Sequence, residues 1–106
     1  MSEDDRYDET MQERGEWRVI IEETVGLGQA GQRWGLTRIQ SCGNRDQALE
    51  TARTMAENHQ PQHPRSPGER CIYQIGTDSW LIRVPGMTQN FHFRVSVARH
   101  IAGSEP

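Results

Sequence analysis

The chain contains no lysine: all twelve of its basic residues are arginine. That absence excludes Schiff-base chemistry, lysine general bases and the phosphate-gripping lysine of nucleotide loops. Long apolar runs are missing as well. No stretch approaches the eighteen or so residues of a membrane span, and no charged segment leads into an apolar leader sequence. A soluble, cytoplasmic protein without a membrane partner is expected. Cysteine is scarce, with two in 106 residues, and in a reducing compartment they are expected as free thiols. Hydrophobic residues make up only 33% of the chain, so part of it lacks the means to build a core.

That part is the N-terminus. Residues 1–16 (MSEDDRYDETMQERGE) hold seven acids, two arginines and almost no aliphatic side chain. Such a segment cannot bury enough apolar surface to offset its ordering entropy, and a disordered acidic tail is expected. Residues 103–106 are expected to form a second, shorter tail, leaving 17–102 as a single domain. The tail holds −5 of a total charge of −3; beyond it, ten arginines face eight acids. An acidic tail on a mildly basic body either solubilises it or screens a binding face in cis. The arginine-only composition is what high-GC codon usage would produce, and it suits bidentate recognition of carboxylates and phosphates.

Within the domain, Trp17–Val25 (WRVIIEETV) alternates Trp17, Val19 and Ile21 with Arg18, Ile20 and Glu22, a strand with one buried face. Gly26–Gln32 reads as a loop and Arg33–Ser41 as a hairpin partner. Trp34 and Leu36 share one face of that partner while Ile39 falls out of phase, which predicts a bulge near Gly35–Thr37. Asn44 with Gln47 three residues on forms a capping-box pattern. Ala48, Leu49, Ala52, Met55 and Ala56 then make one narrow stripe of a helix ending near Asn58. After a proline-rich link come Arg70–Ile75, a Gly76-Thr77-Asp78-Ser79 turn, Trp80–Val84, a Pro85-Gly86 turn and Phe91–Ile101. In the last strand Phe91, Phe93, Val95 and Val97 oppose His92, Arg94, Ser96 and Ala98.

The order ββαβββ predicts an α+β domain, an antiparallel five-stranded sheet with one helix packed on one face. One helix covers a strip about 10 Å wide, whereas five strands at about 4.8 Å spacing span more than twice that. Either the sheet curls around the helix or apolar sheet surface is left for a partner. That shortfall favours an interaction domain, most simply a homo-oligomer, otherwise one that binds another protein. Trp17, Trp34 and Trp80 are the candidate anchors, because aromatic residues dominate interface energetics; each fits a core equally well.

Motifs with chemistry are weak. Gly26-Leu27-Gly28-Gln29-Ala30-Gly31 matches G-x-G-x-x-G, yet the residues after it read as a strand rather than the helix a dinucleotide fold needs. A kinase glycine loop needs a lysine on the next strand, and there is none. Serines, cysteines and histidines occur without a nucleophile motif, so no catalytic residue and no cofactor are assigned. Cys42, His59, His63 and Cys71 are the right types for tetrahedral zinc, but neither cysteine has a closely spaced second one. Pro61 and Pro64 also keep the two histidines off consecutive helical turns. The link HQPQHPRSPGERC reads either as a stiff spacer or as a recognition loop offering His63, Arg65 and Ser66. A nucleic-acid regulator is the alternative from another class. Arg83, Arg94 and His92 are expected on one outer sheet face with Arg38 or Arg18, a set suited to phosphates. Against it, Phe91, Phe93 and Trp80 are expected to point inward, whereas single-strand binders put aromatics and basic groups on one platform.

Pro61-Gln62-His63-Pro64, Ser66-Pro67, Tyr73, Asp78-Ser79-Trp80-Leu81 and Phe91–Ala98 resemble a group of small uncharacterised actinobacterial proteins. The resemblance covers about the last fifty residues, with a weaker echo in Trp17–Glu23 and the helix. It implies no activity, ligand or site residue.

Overall fold

The first strand, β1 (Trp17–Val25), sets the two faces of the molecule. It pairs antiparallel with β2 (Arg33–Cys42), and α1 (Arg45–Asn58) then crosses to β3 (Cys71–Ile75), β4 (Ser79–Pro85) and β5 (Asn90–Arg99). The computed structural model describes residues 16–25, 33–61, 69–86 and 90–105. The acidic segment 1–15, the glycine-rich loop 26–32 and the link residues 62–68, with His63, Arg65 and Ser66, lie outside the described residues. All five strands join one antiparallel sheet in the order β2-β1-β5-β4-β3. This is the expected α+β fold with the helix on one face. The first and last strands meet at the centre, where β1 pairs with β5, and the helix lies between the two edge strands in chain order.

The inner face buries Val19 and Ile21 of β1, Ile82 and Val84 of β4, and Phe93 and Val95 of β5. Onto it α1 sets Ala48, Ala52 and Ala56, which are fully buried. With methyl groups at the centre of the contact, and Leu49 and Met55 packed beside them, the helix axis can approach the sheet closely. Each buried Val, Ile or Phe contributes about 1.5–3 kcal/mol by leaving water. The helix lies chiefly over β5, β1 and β4. The edge strands β2 and β3 gain little cover from it, and Ile72 of β3, on the helix side, is 41% exposed.

Local chemistry fixes the helix ends. The Asn44 side chain accepts from the Gln47 amide at 2.8 Å, and Gln47 reaches back to the Gly43 amide. The reciprocal cap is thus present, displaced by one residue on its return leg. At the other end Arg70 donates to the carbonyls of Ala56 and His59 at 3.0 and 2.9 Å. The last helical turn has no basic residue of its own, so this guanidinium supplies the positive charge its free carbonyls favour.

Ile21 faces Arg38 and Glu22 faces Leu36, so Thr37 is an extra residue in β2. The expected bulge is there, and by resetting the period of two it turns Ile39 onto the face that carries Trp34 and Leu36. Several strand ends shift by a residue from expectation, and the differences at the two ends of the domain have consequences. Glu16, assigned to the acidic tail, is tied to β5: its carbonyl accepts from the His100 amide at 2.8 Å and its carboxylate from Arg99 at 2.8 Å. The strand β5 stops at Arg99 rather than Ile101. Beyond it, Gly103 turns with φ +86° and Glu105 returns to pair with Arg18.

Candidate interaction surface

Opposite α1, the outer face of the sheet carries no second layer among the described residues. Its β2 flank presents Trp34, Leu36 and Ile39, which are 41%, 58% and 50% exposed, and its β3 flank presents Tyr73 and Ile75, each 51% exposed. Exposed apolar residues scattered singly need no explanation; here they cluster at both edges of one face.

A polar stripe separates the flanks. Arg94 donates to Glu22 at 3.0 and 2.7 Å, and Ser79 donates to Ser96 at 3.2 Å. Thr24 is buried and clamps the β5 backbone, donating to the His92 carbonyl at 2.9 Å and accepting from its amide at 3.2 Å. The Trp34 ring stacks on His92 with centroids 4.8 Å apart, and the Arg94 guanidinium sits 5.8 Å from the Trp34 ring centroid.

Arg83 and His92 are cross-strand partners, and Arg94 lies two residues along, so the expected basic set does share the outer face. Arg18 joins it; Arg38 does not. Arg38 pairs with Ile21, on the helix side, and lines a polar groove of about 500 Å³ between α1 and β2. Two of the three outer guanidiniums already hold carboxylates, Arg94 with Glu22 and Arg18 with Glu105. Arg83 has no carboxylate partner among the described residues.

Of the three tryptophans, only Trp34 is at this surface. Trp17 and Trp80 are 9% and 5% exposed and belong to the core cluster under α1. Both sit in phase with the inward residues of their strands, so neither offers a ring to a partner. The zinc reading is corrected in the same way. Cys42 is buried on β2 and Cys71 is exposed on β3. These strands form opposite edges of the sheet, four spacings or about 19 Å apart, and cannot share one ion. Among the described residues no group of three or more His, Cys, Asp or Glu side chains is placed to hold a metal.

One feature was not anticipated. Glu23 continues the inward phase of β1 and is 3% exposed. Its Oε2 accepts from Thr37 Oγ1 at 2.7 Å and lies 3.0 Å from His59 Nε2, while the His59 ring meets the Phe93 edge at 5.0 Å. A buried carboxylate needs such partners. The bulged Thr37 and the residue just past the helix provide them, so this cluster pins β1, β2 and the end of α1 together. Its only advance signal is the inward phase of Glu23 after Trp17, Val19 and Ile21.

At the far end of the outer face, Ile20, Ile39, Ala98 and Ile101 line a cleft of about 260 Å³ closed by Arg18 and Glu105. Arg18 donates to Glu105 from both Nε and Nη2, at 3.1 and 2.6 Å. Those bonds hold the Glu105 carboxyl below the ordinary glutamate range and raise the Arg18 guanidinium. Neither this cleft nor the α1–β2 groove is lined by Glu23 or His59. Compared with family models, curated proteins and solved structures, the chain has no match.

Proposed function

We propose that the domain is a non-enzymatic interaction module that associates with itself through its sheet, at an apolar flank of the outer face. The observation that carries this reading is the half-exposure of Trp34, Leu36, Ile39, Tyr73 and Ile75 on a face with nothing layered over it among the described residues. The helix supports it from the other side, since a single alanine-faced helix cannot cover five strands. Nucleic acid is the weaker occupant. Trp34 and Tyr73 do stand on one platform with Arg83 and Arg94, but among the described residues only one outer guanidinium lacks a carboxylate, whereas phosphate binders need several.

Sedimentation equilibrium across a hundredfold concentration range tests the reading. The wild-type mass is expected to rise towards that of a dimer. A Leu36→Glu/Ile75→Glu variant is expected to stay monomeric with unchanged circular dichroism. A wild-type protein that is monomeric throughout defeats the proposal. Salt-sensitive binding of a labelled single strand in that same monomer transfers the face to nucleic acid.

A further inference from the structure

We propose that the second copy docks along the outer edge of β3, in antiparallel register about Tyr73, joining two five-stranded sheets into one of ten strands. This inference rests on the self-association just argued and names the element that makes it.

The two sheet edges differ. The β2 edge has the defences of a strand built to stay single: a bulge at Thr37 and two arginines, Arg33 and Arg38. The β3 edge has no such defence except its length. Cys71–Ile75 (CIYQI) carries no charge, proline, glycine or bulge, and all five residues are exposed. It pairs only with β4 among the described residues. Unpaired strand edges of this kind template the addition of another strand.

The strand's own sequence identifies a second copy as the occupant. A two-fold axis normal to the sheet at Tyr73 pairs Tyr73 with its equivalent, Cys71 with Ile75 and Ile72 with Gln74 of the other copy. Every outer-face pair is then apolar, with an aromatic pair at the centre, the type of cross-strand pair that stabilises sheets most. No charge is placed opposite another. Of the charged side chains around the strand, Arg70 is held by the helix carbonyls and Asp78 by Arg45 at 2.6 Å, while Arg83 stands one strand in, opposite Cys71 on the outer face. Five residues a side fall short of the roughly 1,000 Å² that a permanent interface buries, so the dimer forms and dissociates with concentration.

Cysteine placement provides a test with an internal control. In this register two copies of Cys71 lie about 14 Å apart along the strands, too far for a disulfide. An Ile75→Cys substitution puts a thiol directly opposite Cys71 of the other copy. Oxidation by air with copper–phenanthroline, which takes one electron and one proton from each thiol, is expected to give a covalent dimer of Ile75→Cys. It is expected to give none of the wild type or of Cys71→Ser/Ile75→Cys. In sedimentation, Tyr73→Lys is expected to weaken dimerisation at least about tenfold, by losing the aromatic pair and setting two cations opposite; Leu36→Glu leaves it unchanged. A wild-type monomer overturns the self-association reading itself. A wild-type dimer that Tyr73→Lys leaves intact, or that cross-links equally without Cys71, overturns this inference alone and assigns the contact elsewhere.

Discussion

Truncating Trp34 and Trp80 separates the packed core from the uncovered face, because similar strand sequences place these two rings on opposite faces. Trp80 is 5% exposed inside the core, and its replacement by alanine is expected to cost about 3–5 kcal/mol. Trp34 keeps 41% of its surface in water. Its loss removes one stack on His92 and one guanidinium contact, about 1 kcal/mol together. Domains of this size are stable by only about 5–15 kcal/mol, so Trp80→Ala is expected to stand near the limit of folding. Trp80→Phe, which deletes less, keeps the comparison measurable.

The assay is urea unfolding followed by circular dichroism at micromolar protein, where mass action adds little to stability. With a slope of about 1–3 kcal/mol per molar, Trp80→Ala shifts the midpoint by a molar or more and Trp34→Ala by a fraction of that. Equal losses refute the reasoning at its root. They require Trp34 to be packed under cover, and the outer face then has no bare flank at β2.

Three further outcomes are expected. Glu23→Ala lowers stability by about 2–4 kcal/mol, leaving a cavity and taking the carboxylate from both Thr37 and His59, while Thr37→Val costs about 1 kcal/mol; denaturation of both variants checks the ordering. Gly76 turns at φ +62° in open space, so Gly76→Ala costs about 1–2 kcal/mol from backbone alone and Gly76→Asn less, again by denaturation. Because the folded Glu105 carboxyl titrates below its ordinary 4.5, its hold on Arg18 is complete above that value and is lost as pH falls through the lower folded one. Carbonyl-carbon NMR is expected to show that depressed midpoint, and Arg18→Ala to return it to the ordinary range.

Much of the fold was legible because its signals are local. The period of two in Trp17–Ile21 and Phe91–Val97, the Asn44–Gln47 cap and the out-of-phase Ile39 each report on a few neighbouring residues. What was not legible depends on pairing across the chain. Nothing near Cys42 or Cys71 says that their strands become opposite edges; only the β1–β5 pairing does. Trp34 and Trp80 look alike until the strand order and the helix position separate them. Glu23 is hard to read because a carboxylate ordinarily faces solvent, although its phase places it inward. Arg38 was assigned no definite face because the bulge one residue before it reverses the count.

The polar stripe decides which kind of association the outer face permits. Stacking two sheets face to face covers the flanks, but it also buries Arg94 with Glu22 and takes the exposed parts of His92 and Arg83 out of water. Removing such charges from solvent costs several kcal/mol per ion unless new partners replace the water, and the facing copy brings only the same charges. Joining the sheets edge to edge at β3 leaves the stripe hydrated and covers only uncharged residues. In that arrangement the two β2 flanks lie at opposite ends of a ten-stranded sheet, nine spacings or about 43 Å apart before twist. Trp34, Leu36 and Ile39 then remain exposed in the dimer, which is why charge at Leu36 and charge at Tyr73 are expected to have separable effects.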